Sequence, residues 1–169
     1  MAVFNLTIAK GVFMKDYPKK YFITSGIGRS QYQLVAFDNA LLDAGIADYN
    51  LVKISSIFPI NCQQAKVCDF PPKGSPLLTA YATISSNKKG ERIATAVCAA
   101  IPEDPDIVGV IMEYSGFCTA QEAEKTVKIM ALEAMQNRKR KVKEVISSAV
   151  DCIVKSEGYT VLVSSISIW

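Results

Sequence analysis

The sequence predicts an α+β fold in which strands predominate. Seven segments carry apolar and β-branched residues between turn residues, as strands do, whereas only two segments show the period of an amphipathic helix. The chain has 169 residues, close to the usual size of one domain, and no linker, repeat or low-complexity segment divides it. We therefore expect residues 1–169 to form a single layered domain, rich in strands and with two main helices.

The predicted strands are spread along the whole chain. Asn87-Lys88-Lys89-Gly90 is typical of a tight connection between two of them, and the Pro- and Gly-rich segment 70–76 is predicted to be a loop. In segment 50–58 the apolar pattern is too short to decide the period by itself, although it is read as a strand. The predicted strands are residues 21–27, 50–58, 77–86, 92–101, 107–114, 142–154 and 160–168.

Two helices complete the fold prediction. The first covers residues 36–44, with one apolar face and Gly45 as its C-terminal stop. The second begins at Thr119, which forms a capping box with Glu122 three residues later. Met130 and Met135 are expected to fill the core rather than form a binding surface. The apolar stripe of this helix consists of Ala123, Val127, Met130, Ala131 and Ala134.

Composition excludes several classes of function. The chain has no histidine, which removes the Ser–His–Asp and Cys–His catalytic arrangements and every metal site that needs histidine. Five cysteines at irregular spacings, with no CxxC, favour buried reduced thiols over a zinc site or a disulfide framework. We therefore predict no metal, and an enzyme built on this chain has to use carboxylates, lysine, tyrosine, cysteine or a cofactor.

Charge and hydropathy give no sign of a nucleic-acid or membrane partner. The net charge of +3 is mild, and the basic run at residues 138–143 contains no aromatic residue and falls at a helix end, where cations are favoured. No apolar run reaches the ~20 residues needed to span a bilayer, and residues 1–14 lack the features of a signal peptide. The sequence thus predicts a cytoplasmic protein without a nucleic-acid or membrane partner.

One of four Ser-Ser dipeptides has a distinctive setting. Ser55-Ser56 lies in Asn50-Leu-Val-Lys-Ile-Ser-Ser-Ile-Phe-Pro59, where a predicted strand runs into the pair and a proline stops it. The other three pairs have the ordinary interpretation of small polar residues in strands and turns.

The Ser55-Ser56 pair belongs to a series of blocks that runs, in order and in one register, from about residue 26 to the C-terminus. The blocks are 36–38, 40–42, 44–46, 50–51, 54–57 with Pro59, 79–81, 111–114, Gly116 with Cys118, and 122–127. Together they resemble the pyruvoyl-dependent arginine decarboxylases. Residues 1–25 lie outside the likeness, and residues 62–76 follow it only loosely.

The resemblance implies a self-processing enzyme with an αββα sandwich fold. The Ser56 hydroxyl would attack the carbonyl of Ser55, and elimination and hydrolysis would turn Ser56 into a pyruvoyl group at the start of the fragment 56–169, releasing 1–55. That group would replace pyridoxal phosphate by forming a Schiff base with the substrate and accepting electrons as CO2 leaves. The implied reaction converts L-arginine to agmatine, a step of polyamine biosynthesis.

The resemblance implies roles for three further residues. Each of them also has a purely structural interpretation. Asn50 is expected to steady the oxyanion during processing, or else to be a turn asparagine. Glu113 is expected to donate a proton to the former α-carbon, since burial would raise its pKa, or else to be an outward-facing strand carboxylate. Its change to Gln is expected to leave cleavage nearly normal. Asp38 is expected to pair with the substrate guanidinium, or else to be a carboxylate favoured near a helix start.

The resemblance also implies a homotrimer, or a dimer of trimers, with active sites between neighbouring subunits. Two alternatives stay open: a pyruvoyl decarboxylase of another amino acid, and a trimeric binding protein that keeps the fold without processing. Tyr49 and Asn39 stand where relatives have smaller residues, and Tyr49 adjoins Asn50, where it is expected to narrow the substrate pocket.

Overall fold

The computed structural model describes residues 17–155 and 157–169, and the prediction about residues 1–14 lies outside this range. Two helices and nine strands are described, with one 3-10 turn at Val67–Asp69. The helices are α1 (Gln33–Asp43) and α2 (Ala120–Asn137). The strands are β1 (Lys20–Ser30), β2 (Asn50–Lys53), β3 (Ile57–Phe58), β4 (Gln63–Gln64), β5 (Pro76–Ser86), β6 (Arg92–Pro102), β7 (Gly109–Gly116), β8 (Val142–Ile153) and β9 (Tyr159–Ile168).

The strands form two sheets packed face to face between the helices. The first sheet has the order β2-β5-β9-β1-β4 and the second β3-β7-β6-β8, with antiparallel pairs except β1–β4 and β2–β5. Two apolar clusters lie between the sheets, and others join α1 to the first sheet and α2 to the second. The predicted αββα sandwich is therefore confirmed.

Small residues let α1 approach the first sheet closely. A Cβ atom at Gly28 would lie 1.9 Å from the carbonyl oxygen of Ala36, and one at Gly26 would lie 2.2 Å from that of Ala40. Any side chain larger than hydrogen would push the helix away from β1. These glycines therefore fix the position of α1 and of the groove beside it.

The second helix begins as the sequence predicts. The Thr119 side chain accepts a hydrogen bond from the Glu122 N–H, and the Glu122 carboxylate accepts one from the Thr119 N–H. The helix ends in the basic run, where the Arg138 guanidinium donates to the Ala134 carbonyl at 3.0 Å, in keeping with a structural role for that residue. Of the two methionines expected in the core, Met135 is fully buried as predicted, whereas Met130 was wrongly assigned, since it is 37% exposed.

Three other predictions need correction. The first helix begins at Gln33, three residues earlier than predicted, because the exposed Leu34 and Val35 hid the helical period. The strand predicted over 107–114 runs from Gly109 to Gly116. Of the five cysteines only Cys98 is fully buried, and Cys68 is exposed.

The predicted strand over residues 50–58 is interrupted. Its first part, β2, pairs in parallel with β5 at the edge of the first sheet, and its last part, β3, pairs with β7 at the edge of the second. Residues 54–56 cross between the two sheets. A single-strand pattern cannot reveal this, since both parts carry the alternation expected of strands.

Candidate active site

The Ser55-Ser56 pair lies in the crossing between the sheets. Ser55 is exposed and Ser56 is half-buried. The Ser56 carbonyl accepts a hydrogen bond from the Ile111 N–H at 2.9 Å, which attaches the end of the crossing to β7. The peptide bond between the serines is therefore held close to β7 without being part of a regular ladder.

Glu113 faces Ser56 from β7. The Ser56 hydroxyl donates to both carboxylate oxygens, at 3.0 Å to Oε1 and 3.1 Å to Oε2. Glu113 shares the strand face of Ile111, which belongs to the cluster between the sheets. The carboxyl is thus directed inward, against the interpretation of an outward-facing strand residue.

Burial raises the pKa of Glu113. The hydrogen bond from Ser56 and the positive charge of Lys53 act in the opposite direction, but the loss of hydration is the larger effect. A carboxyl with a raised pKa is suited both to accept a proton and to return it at moderate pH.

Sequence reasoning assigned no role to Lys53. This residue lies at the end of β2, and its ammonium stands 4.7 Å from the centre of the Tyr81 ring in a cation–π contact. It is also the cation that acts on the pKa of Glu113. A positive residue three positions before the serine was the only signal in the sequence.

Asp38 lines a separate groove between α1 and β2. The groove has a volume of about 600 Å³, and its walls include the aromatic rings of Phe37, Tyr49 and Tyr81. Asp38 is exposed and occupies the second turn of α1, so the favourable field of the helix start, which fades within the first turn, does not explain its position. Tyr49 lies in the groove wall as expected for a residue that narrows the pocket, with its hydroxyl donating to the Pro71 carbonyl at 3.2 Å.

Asn50 lines the same groove, but its side chain is tied elsewhere. Its Nδ2 donates to the Gly74 carbonyl at 2.7 Å, and its backbone N–H donates to the Ser75 carbonyl at 3.0 Å. Within residues 17–155 and 157–169, no hydrogen bond joins Asn50 to Ser55 or Ser56. This geometry matches the turn interpretation better than the oxyanion role.

The predicted residues fall into two sets within one protomer. Ser55, Ser56 and Glu113 come together at the crossing, whereas Asp38 and Asn50 meet in the groove. Of the described residues that line the groove, none belongs to the crossing.

The described part of the chain contains neither a metal-binding cluster nor a membrane-spanning helix. It contains no cluster of three or more Cys, Asp or Glu side chains arranged to hold a metal ion. Among the same residues, no helix is long and apolar enough to cross a membrane.

The Ser56 hydroxyl is bound to the half-buried carboxyl of Glu113, beside a peptide bond that lies outside the regular ladders. Comparison with known proteins gives the family. Residues 20–167 match the family model of pyruvoyl-dependent arginine decarboxylase. The chain belongs to the pyruvoyl-dependent arginine decarboxylase family.

Individual relatives agree with this assignment. The chain is 41% identical over 141 residues to the pyruvoyl-dependent arginine decarboxylase of Methanococcus aeolicus, which covers 83% of this chain and 85% of that protein. It is 40% identical over 143 residues to that of Methanocaldococcus jannaschii, with the same coverage, 83% and 85%. It is 36% identical over 140 residues to that of Thermococcus kodakarensis, covering 83% and 88%.

Proposed function

We propose that this chain cleaves itself between Ser55 and Ser56, converts Ser56 into a pyruvoyl group, and then decarboxylates L-arginine to agmatine. The observation that carries the proposal is the pair of hydrogen bonds from the Ser56 hydroxyl to Glu113, at 3.0 and 3.1 Å. They provide a nucleophile and a proton acceptor at the one peptide bond that the family resemblance singles out.

Glu113 supports self-cleavage by accepting the Ser56 proton. The deprotonated oxygen attacks the Ser55 carbonyl, and the amide becomes an ester. Elimination at Ser56 then releases the fragment 1–55 and leaves a dehydroalanine, which water hydrolyses to a pyruvoyl group and ammonia. Ser56 is suited to be the source of the pyruvoyl group because its hydroxyl already donates a hydrogen bond to the Glu113 carboxylate. This adds a role in processing to the turnover role expected from the sequence.

In turnover, the pyruvoyl group would supply the electrophilic carbonyl that takes the substrate amino group and accepts electrons as CO2 leaves. Glu113 is placed beside residue 56, and its raised pKa keeps it able to hold a proton and deliver it there. Asp38 would hold the substrate guanidinium through two parallel hydrogen bonds. The aromatic walls of its groove suit the flat face of that cation.

Assembly into a homotrimer would unite the two sets of residues. The groove that holds Asp38 and the crossing that holds Ser56 are separate in one protomer, as expected if each active site takes Asp38 from one subunit and Ser56 from its neighbour. Apolar side chains that line the groove support burial in an assembly: Leu34 is 79% exposed and Val35 is 46% exposed. Two trimers could pair further. We place the enzyme in the cytoplasm, where agmatine would enter polyamine biosynthesis.

The deciding experiment has two parts. Intact mass of the purified, denatured protein should give two fragments, 1–55 and 56–169, with the larger one blocked to Edman degradation by its ketone. Release of CO2 should then be measured with arginine, lysine, ornithine, histidine and aspartate. An uncleaved, inactive chain would reject the proposal in favour of a binding protein, and preference for another amino acid would reject only the substrate.

A further inference from the structure

Self-cleavage places a negative charge on the carbonyl oxygen of Ser55. Such a charge needs a hydrogen-bond donor that is already in position, at roughly 2.7–3.1 Å from that oxygen. Asn50 was the candidate from the sequence, but its amide is bound to the Gly74 carbonyl at 2.7 Å. The donor must therefore be sought among the groups that contact Ser55.

The backbone N–H of Ile57 contacts this oxygen. It donates to the Ser55 carbonyl with an N···O distance of 2.7 Å. A bond between residues two apart closes a three-residue turn centred on Ser56. Ser56 is not among the residues with positive φ, so the turn is an inverse γ-turn.

The turn is fixed from both sides. The Ser56 carbonyl accepts from the Ile111 N–H at 2.9 Å, and the Ser56 hydroxyl binds Glu113. Ile57 lies opposite Val110 in the antiparallel pair of β3 and β7. Its N–H nevertheless donates to the carbonyl of Ser55, which belongs to the peptide bond that is to be broken. Nucleophile, base and donor thus surround one carbonyl within a single protomer.

We propose that the backbone N–H of Ile57 is the donor that stabilises the oxyanion on Ser55 during self-cleavage, an inference that rests on the proposed function. A bond forms from Ser56 Oγ to the Ser55 carbonyl carbon while the Oγ proton passes to Glu113. The π electrons of the carbonyl move to its oxygen, where Ile57 donates. On collapse the C–N bond breaks, the nitrogen takes the proton back from Glu113, and Ser55 is left as an ester on Ser56.

The test removes the N–H without changing the side chain. Ile57 is replaced by its α-hydroxy acid in cell-free synthesis, so that an ester oxygen takes the place of the amide nitrogen. The control is the same chain with isoleucine installed by the same route. Intact mass followed over time gives the cleavage rate between residues 55 and 56 and distinguishes it from hydrolysis of the new ester between 56 and 57.

We expect cleavage to slow by roughly 100-fold or more, the cost of losing one oxyanion donor, while the melting temperature changes little. Cleavage at the control rate would overturn the inference and leave the proposed function intact. A control that stays uncleaved would overturn both.

Two encoded variants keep the proposal testable if the ester chain folds poorly. Ile57→Pro also removes the N–H and should slow cleavage, whereas Asn50→Ala leaves that donor in place and should cleave within roughly threefold of wild type. The reverse order, with Asn50→Ala slow and Ile57→Pro normal, would return the oxyanion role to Asn50 and reject the inference.

Discussion

The crossing at residues 54–56 and the groove beside α1 both carry a carboxyl group, but in opposite surroundings. Glu113 is directed between the two sheets and receives the Ser56 hydroxyl, whereas Asp38 is exposed in a groove of about 600 Å³. Loss of hydration raises the pKa of Glu113 and suits it to proton transfer. An exposed carboxylate is instead available to bind a cation from outside. Under the proposed function, a carboxyl group would therefore take part in the reaction in one region and bind the substrate in the other.

The crossing and the groove also differ in which of the proposed functional groups each contains within one protomer. Under the proposed function, the crossing holds the nucleophile, the base and the scissile bond in one protomer, so that self-cleavage would need no partner. The groove holds Asp38, the residue proposed to bind the substrate, and its described walls include neither Ser56 nor Glu113. Processing should therefore respond to changes in the crossing alone, and turnover to changes in both regions.

Ser56→Ala should give the largest effect. Alanine has no oxygen to attack the Ser55 carbonyl, so the chain should remain whole and decarboxylation should be undetectable. Ser85→Ala, in another Ser-Ser pair, should cleave normally. Denaturing gel and intact mass measure both, and two fragments from Ser56→Ala would remove the crossing as the site of chemistry.

Glu113→Gln should have the second largest effect on activity. The amide keeps the shape but neither accepts nor delivers a proton, so turnover per cleaved chain should fall by roughly 100-fold or more. The sequence led us to expect nearly normal cleavage for this variant, but the hydrogen bond from Ser56 to Glu113 changes that expectation to slower cleavage. The matched control is Glu133→Gln on the exposed face of α2. Normal turnover in Glu113→Gln would show that another group handles the proton.

Asp38→Asn should impair arginine turnover by more than about 1.5 kcal/mol, or more than about tenfold, because a charged hydrogen bond is lost. Cleavage should be unaffected, since processing needs no guanidinium. Asp48→Asn provides a control, because Asp48 is an exposed carboxylate in a surface ion pair with Lys73. If steady-state kinetics of Asp38→Asn match wild type, the groove does not recognise the substrate.

Mixing subunits tests how the two regions meet. Asp38→Asn and Ser56→Ala chains, each poorly active alone, should recover activity when expressed together. In a cyclic trimer that contains both, about one third of the sites would combine an intact Asp38 with an intact Ser56. Sedimentation should give a multiple of three protomers. No recovery in confirmed mixed trimers would mean that both residues of a site come from one subunit.

The smallest effect concerns stability. A carboxyl with a raised folded-state pKa binds its proton more tightly when folded, so stability declines as pH rises from its ordinary pKa of 4.5 through the folded value. In the uncleaved Ser56→Ala background, Glu113→Gln should therefore raise the melting temperature at pH 7 by a few degrees at most. The gain should vanish below pH 4, and a gain independent of pH would argue against burial of the charge.

The sequence predicted the layers well because they depend on local signals. The capping box at Thr119 and the turn at residues 87–90 are chemical patterns within a few residues, and both appear as expected. The error at Met130 has a physical reason, since on α2 it lies at the rim of the buried stripe and periodicity alone does not set the width of that stripe.

For the site, the sequence by itself determined which chemistry is available: the absence of histidine, the Ser-Ser pair before a proline, and a glutamate in an apolar strand. Only the tertiary structure decided how these groups meet. The distance between Ser56 and Glu113, 57 residues apart, depends on β3 pairing with β7 across the sheet edge, and the bond from Ile57 to Ser55 depends on the turn that this crossing imposes. Long-range pairing leaves no periodic mark in the sequence, because either partner would show the same alternation in any sheet.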